Sequence, residues 1–554
     1  MRAGQDYTSK VWLLTTSASL AMLMACGNGE NNASNNTTTE DMSAMEDMSV
    51  QDQGVDDMGL DDMVEDMAED MTPSDMEADL PPTGEARVQL LHLADGAGEV
   101  DIYVNGEILL DDFAEETGTG FFPVTAGAEL TVDVVAGDAL DNSDPVYTVT
   151  LADGLVADTK YVLAAMGDVN SDDEASAFRV VAIGGARTPN EVGTGPVGAM
   201  LVHAVDDAPT VDVVLEQGFS GETAVDNFAF GSYTSDAAGM AQYIDIDPAA
   251  LTFGGTALVN INEATTDEFV AGFQTTDLSS LAGQQVVIAA TGSLAEGTFG
   301  LTAFLGLDAA TPAASPGLAL SSAARLQVVH NSPDPAAEVV DVYGNGVKLI
   351  DDFAFRTATP FITVPSGTDL DLNIAAPDSE DDTTPVVDAP TINLDPGSTT
   401  IAVASGVVGA EGDAAFEILT TEGNEGLGAA DPDSVLVKLH HGSPDTPAVG
   451  IRAEGADTNI VDSFEYKDFV GYVPLSSETN TVLEVVNPVA DFATVVKTDA
   501  AIDFSNFTTP VVVMASGSTG LVTDIFEAGV NLESIALIAV LPDGTVTTLP
   551  LILP

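Results

Sequence analysis

The chain has a single cysteine, Cys26, in 554 residues, so no disulfide can form within it. Whatever folds here is held by packing and hydrogen bonding alone. Positive charge is scarce as well: 13 Lys and Arg stand against 89 Asp and Glu, for a formal net charge of −76. A field of that sign repels nucleic acid and anionic headgroups, which removes both as expected partners. Weak association with divalent cations is the ionic behaviour that remains. Helical periodicity is nearly absent. The serines nearest to histidines, Ser332 and Ser443, have no oxyanion-hole or nucleophile-elbow pattern around them. No cofactor is expected, and no metal centre. The length exceeds one core, and at about 150 residues per domain it implies roughly three to five.

What is present begins with a targeting segment. Arg2 and Lys10 flank a short polar start, and Val11 to Ala25 is uncharged. That run is too short for a membrane span of about 20 residues and fits a signal-peptide core. It ends in Leu23-Met24-Ala25-Cys26-Gly27, which resembles the lipobox of bacterial lipoproteins. The resemblance implies cleavage before Cys26, acylation of its thiol and new amine, and anchoring by several acyl chains, which hold far better than one. Gly27 in place of an aspartate implies the outer membrane.

From Gly27 to Gly84 the composition shifts, first to Asn, Ser and Thr, then to Asp, Glu and Met. Glu30 to Asp79 holds 17 acidic residues, no basic ones and no aromatics. Such a segment cannot bury enough apolar surface to offset ordering entropy, and its charges extend it, so it reads as a disordered acidic tether. Of its methionines, Met63, Met67 and Met71 share one face of a hypothetical helix. Their thioethers suit Cu(I), yet no histidine or second cysteine stands nearby, so the Asp-Met run reads as low-complexity sequence.

The remainder repeats fourfold. His92, His203, His330 and His441 lie 111, 127 and 111 residues apart, each ending an alternating apolar stretch. An Asp-, Pro- or Ser-rich turn follows, clearest in His330-Asn-Ser-Pro-Asp334 and His441-Gly-Ser-Pro-Asp445. Then come a short strand (Val100-Asp-Ile-Tyr-Val104, Val340-Asp-Val-Tyr343), an Asn-Gly pair in two units, and an Asp-x-Phe element ending at Phe113, Phe228, Phe353 and Phe464. Asn-Gly is the strongest short hairpin signal, because a type I′ turn needs positive φ at both positions. A strand running into Gly167, Gly292, Gly406 or Gly517 comes later in each unit.

The His-x-Ser-Pro-Asp turn, the Val-Asp-Val-Tyr strand, the Asp-x-Phe element and a Val-Pro-x-Gly turn together resemble the bacterial domain-of-unknown-function family 4397. The likeness covers all four units and is closest in the third. The second lacks the Ser-Pro, and the fourth has Gly450 for the strand aspartate. The resemblance implies an extracytoplasmic β-sandwich, often in tandem. About seven short period-two strands per unit give the same reading. The expected fold is all-β, four tandem immunoglobulin-like antiparallel β-sandwich domains over 85–188, 197–308, 323–421 and 433–554. A signal peptide (1–25) and a tether (26–84) precede them, and Ala-, Pro- and Gly-rich linkers string the domains into a rod.

Period-two alternation puts Leu326, Val328 and His330 on one strand face and Arg325 and Gln327 on the other. The repeated histidines therefore point to the core, where a ring nitrogen bonds backbone or the following aspartate. The competing reading is a ligand-binding end built from His330, Asp334 and Asp341, or from His441 and Asp445, with His92 and His203 as the equivalents elsewhere. Loops such as Asp378 to Asp382 offer loose Ca²⁺ contacts. The expected function is non-enzymatic: a lipid-anchored envelope protein displaying modules for binding, adhesion or spacing, with a protein or glycan ligand. The alternative is an envelope enzyme or metal-binding accessory with a site at a domain end.

Overall fold

A computed structural model describes residues 84–552, apart from 153, 172, 190–193, 218–219, 426, 428–432, 490–492, 520–533 and 550. The signal segment, Cys26, the acidic tether up to residue 83 and its methionine stripe lie outside the described residues.

As expected, the body is all-β, and helix among the described residues is confined to 3-10 turns of three or four residues. The first repeat sets the plan with β1 (Glu85–Leu93), β2 (Val100–Val104), β3 (Glu107–Phe113), β4 (Thr117–Gly118), β5 (Phe122–Thr125), β6 (Leu130–Ala136), β7 (Tyr147–Leu151), β8 (Lys160–Met166) and β9 (Arg179–Gly184). One sheet runs β4-β1-β8-β9, with β5 also on β1, and the other runs β3-β2-β6-β7. Both Asn-Gly turns are as expected: Asn105 and Gly106 have φ of 51° and 83°, and Asn345 and Gly346 have 50° and 79°.

One pairing departs from the antiparallel expectation. β1 and β8 run parallel, as do Val197–His203 with Gln285–Thr291, Ala324–His330 with Thr399–Ser405, and Ser434–His440 with Val511–Ser516. Turn signals report only which consecutive strands fold back. Which later strand returns beside the first depends on the crossings between sheets.

The larger departure is in how the repeats assemble. The histidine-bearing sheet is buried on both faces. In the first repeat Val88, Leu90 and Leu163 pack inward with Ile102, Phe113 and Phe122. On the opposite face Leu91, Phe121, Val162, Ala164 and Met166 pack against Met200, Val202, Val287, Ala289 and Phe304 of the second repeat. The third and fourth repeats do the same through Val329, Phe361, Ile401 and Val403 against Val512, Met514, Ile538 and Val540. Instead of a rod of separate beads, the repeats form two face-to-face pairs, each four sheets deep. Burying a large apolar side chain contributes about 1.5–3 kcal/mol, so each seam is a second core.

Amide nitrogens caught in the seams find partners across them. Gln89 Nε2 donates to Thr119 O at 2.9 Å and to Leu305 O of the second repeat at 3.0 Å. Gln327 Nε2 does the same to Thr359 O (2.9 Å) and Leu541 O of the fourth repeat (2.7 Å). The equivalent turns after the histidines also meet: Asn331 Nδ2 donates to Gly442 O at 3.3 Å and Ala515 O at 3.2 Å. In the other pair the corresponding residues are Leu93 and Ala204, buried in one cluster. Each seam thus sets a larger side chain on one repeat opposite a small residue on its partner.

Two further features tie repeats together, the first within the leading pair and the second between the pairs. Residues 315–322 act as a strap. Ser315–Pro316 extends the first repeat's sheet at β4, Leu318–Ala319 pairs with Gly300–Leu305, and Ser321–Ser322 pairs with Phe269–Gln274. Three otherwise open sheet edges are covered in this way. A polar chain then crosses from the second repeat to the third. Asn260 Nδ2 donates to Glu216 at 2.6 Å, and the Thr363 hydroxyl donates to Asn260 Oδ1. Arg325 donates to Thr363 at 2.7 Å and pairs with Glu425 at 2.6 Å. The Arg325 guanidinium also lies 4.1 Å from the centroid of the Phe269 ring.

The 3–4 seam is testable at its tightest point. A Cβ on Gly442 would sit 2.1 Å from Asn331 Nδ2 and 2.5 Å from Ala515 O. Gly442→Ala is expected to cost about 1–3 kcal/mol as overpacking, read as a lower urea midpoint. Adding Asn331→Ala should recover part of the loss. An unchanged midpoint in the single variant would contradict the seam.

Candidate functional site

All four repeated histidines are sealed, at 1–2% exposure. Their rings are held alike. His92 Nε2 bonds Gly98 O at 3.0 Å, His330 Nε2 bonds Ala337 O at 2.7 Å, and His441 Nε2 bonds Pro447 O at 3.2 Å. The His203 ring bonds the Pro209 backbone. A carbonyl can only accept, so Nε2 carries the proton. Among the described residues, Nδ1 of His92, His203 and His441 has no hydrogen-bond partner. Each ring packs on the phenylalanine of its own Asp-x-Phe element, with centroids 5.7 Å apart for Phe113, 5.8 Å for Phe228, 5.6 Å for Phe353 and 5.6 Å for Phe464. Burial lowers the pKa of all four rings, and for His330 to about 4. The histidine is therefore a neutral wedge that ties its turn to the sandwich end.

The aspartates do related work. Asp334 Oδ1 caps Ala336 N and its Oδ2 accepts from Val408 N, both at 2.9 Å. Asp445 accepts from Thr519 N at 2.9 Å and Ser518 Oγ at 2.8 Å. Asp207, at the same position of the second repeat, clamps Leu294 N and Ala295 N. Each carboxylate thereby pins the loop that follows Gly292, Gly406 or Gly517. Asp341 accepts from Asp352 N at 2.9 Å, as Asp101 does from Asp112 N and Asp212 from Asn227 N. In all three the donor residue sits at positive φ, 51° to 54°. This bulge aims the phenylalanine under the histidine. Gly450 in the fourth repeat abuts Asp462 O and Val461 O, leaving no room for the aspartate.

His330, Asp334 and Asp341 thus spend their polar atoms on separate backbone and side-chain partners and do not converge on one point. The serines beside the histidines are committed too: Ser332 Oγ donates to Gly406 O at 2.7 Å, and Ser443 Oγ meets Thr446 Oγ1 at 2.7 Å. In the Asp378–Asp382 loop, Asp381 accepts from Thr383 N at 3.0 Å and Asp382 from Asn373 Nδ2 at 2.9 Å. Sequence reasoning missed a different feature. A cleft of about 780 Å³ opens between the second and third repeats, lined by Ile246, Phe253, Leu281, Ile288, Leu320 and Val347, with Asp277 and Asp369 its charged residues. Its walls come from repeats that only tertiary packing brings together, so no local motif marks it.

Acid stability tests the buried wedge. The unfolded His330 ring takes up a proton as pH falls through 6.5, and the folded one does not until about 4. Stability present above 6.5 is therefore lost progressively across that window. At about 1.4 kcal/mol per pH unit the loss from this ring is on the order of 3 kcal/mol. His330→Gln should flatten the fall of the denaturation midpoint between those pH values, and an identical slope would contradict the wedge.

No curated protein matches the chain. Residues 71–189 and 324–452 match the model of a domain of unknown function (DUF4397). The first match covers the first repeat together with residues before it, and the second covers the third repeat and enters the fourth. The second and fourth repeats reproduce their strand order and parallel pair. The chain is accordingly an array of β-sandwich repeats that resembles DUF4397.

Proposed function

We propose that this chain is a non-enzymatic, lipid-anchored envelope protein that displays paired β-sandwich modules for binding or structural spacing, tethered through Cys26 to the outer membrane. The observation that carries the reading is the fourfold repetition of one structural wedge. The residues best suited to chemistry, His92, His203, His330 and His441 with Asp334 and Asp445, are all engaged in holding turns. The lipobox-like Leu23 to Gly27 supports the anchor, and the acidic tether supports display at a distance from the lipid surface. No helix among the described residues is long and apolar enough to cross a membrane. The cleft between the second and third repeats has the size and apolar lining that a segment of a protein or glycan partner would occupy.

Two measurements test this. Wild-type chain in its native host is expected to incorporate labelled palmitate and to fractionate with membranes, and Cys26→Ala to do neither. Labelled palmitate on the Cys26→Ala chain would overturn the anchor. Protease added to whole cells should remove surface-displayed repeats and spare periplasmic ones, which separates adhesion from internal spacing.

A further inference from the structure

The cleft between the second and third repeats adjoins a second space. Its wall residues Ala199, Ile246, Ile288 and Leu320 also line a cavity of about 60 Å³ inside the second sandwich. Apart from the His203 ring, that cavity is lined by aliphatic and phenylalanine side chains. The packing of the sandwich explains it. In the first repeat the interior forms one apolar cluster. In the second it divides into one around Val197, Ile246 and Leu278 and another around Val211, Phe228 and Leu301. Ile288 packs on both. Leu320 belongs to the strap, where its N donates to Leu301 O at 2.8 Å, and its half-buried side chain lines both spaces. An apolar cavity of this kind stays dry, and its walls lack the dispersion contacts that a filling group would restore.

Charge in the cleft is of one sign. Its charged lining residues are Asp277 and Asp369, both exposed, and hydroxyls such as Thr252, Thr276 and Thr368 stand with them. Asp277 caps the turn Leu278–Leu281 by accepting from Ser279 N at 2.8 Å. Hydrogen bonds from Ser279 hold its carboxyl below the usual carboxylate range. Asp369 accepts from Asn393 Nδ2 at 3.0 Å. No Lys or Arg is among the lining residues. Lys348, beside Val347 in sequence, is bound to Asp341 at 2.9 Å and Asp351 at 2.7 Å. An anionic ligand would therefore meet two carboxylates and no cation, in a chain of net charge −76.

We propose that this cleft binds a small single-chain amphiphile with a positively charged head. The aliphatic tail lies along Leu281, Ile246 and Ile288 toward Leu320 and the second sandwich, and the head lies beside Asp277 and Asp369. The inference goes beyond the display role proposed above, because it gives the cleft a ligand of its own. The cleft's volume of about 780 Å³ falls among small-molecule sites, which run from about 300 to 1,000 Å³. The apolar wall supplies the driving force by removing the tail from water. The two carboxylates supply the selection: a cationic head is attracted, and a carboxylate or sulfate head carries the wrong sign. Leu320 gives the tail its direction, since it is the strap residue common to the cleft and the dry cavity behind it.

The test is isothermal calorimetry on the full chain carrying Cys26→Ala, so that the result does not depend on the anchor. The probes are decyltrimethylammonium and decyl sulfate below their micelle concentrations, in about 0.15 M salt to screen diffuse attraction to the acidic surface. The chain is expected to bind decyltrimethylammonium at one saturable site, and decyl sulfate at least about tenfold more weakly. Octyltrimethylammonium, shorter by two methylenes, should bind roughly tenfold more weakly than the decyl probe. Leu320→Trp, which fills the shared wall, should weaken both decyl probes about tenfold. Asp277→Asn combined with Asp369→Asn should bring the two heads within about threefold of each other. A folded Leu320→Trp chain that binds as before would overturn the proposal, as would an unchanged head preference in the double variant. If circular dichroism shows Leu320→Trp to be unfolded, the tail series decides: equal affinity for octyl and decyl probes means attraction to surface charge alone and overturns the site. Absence of any saturable site also overturns it, and leaves the cleft to a partner's segment and the anchor to the palmitate experiment.

Discussion

Burial of the histidine-bearing sheet on both faces is the constraint on which the rest of the molecule depends. A sheet with one wet face alternates apolar and polar residues, and one with two dry faces cannot. In β1, Leu90 faces the sandwich interior and Leu91 faces the second repeat, and Val328 and Val329 divide in the same way. Polar groups on the outward parity must then be satisfied inside a seam. Gln89 and Gln327 each donate to one carbonyl of their own repeat and one of the partner's. Without disulfides, this second layer of burial adds apolar contact to what each sandwich interior provides.

The sandwich ends follow a local rule that the seams do not dictate. A histidine bonds a carbonyl six or seven residues on and packs against a phenylalanine, which a bulge holds in place, and in three repeats a strand aspartate caps that bulge. Neutral histidine suits this position because it gives a directional donor at one nitrogen and an aromatic face at the same time. The capping aspartate is anionic, however, and a buried anion needs compensation. The third repeat provides Lys348 and Ser379, the second reduces the neighbouring charge with Asn227, and the fourth removes the aspartate altogether. The first keeps all three aspartates but has Ile108 at the position of Lys348.

Much of this was legible in the residue order because it is local. Asn105-Gly106 and Asn345-Gly346 specify type I′ turns through φ alone, and the histidine, Asp-x-Phe and glycine landmarks each describe a few neighbouring residues. The inward direction of the histidines follows from period-two alternation. The role of Phe113, Phe228, Phe353 and Phe464 as ring partners was not legible. They lie roughly two dozen residues from their histidines, on a strand of the opposite sheet, and only the sandwich brings them into contact.

The sequence by itself determined an all-β body of four like units, the places where hairpins turn, and the parity of the histidine face, since each of these is encoded within one strand or one turn. The tertiary structure alone decided that the first strand pairs parallel with a strand some 70 residues later. It also decided that the units associate as two pairs, that residues 315–322 form a strap instead of a spacer, and that a cleft lies between the pairs. An outward-facing leucine such as Leu91 reads the same whether it meets water or another sheet. What it meets depends on long-range packing, which no local pattern encodes.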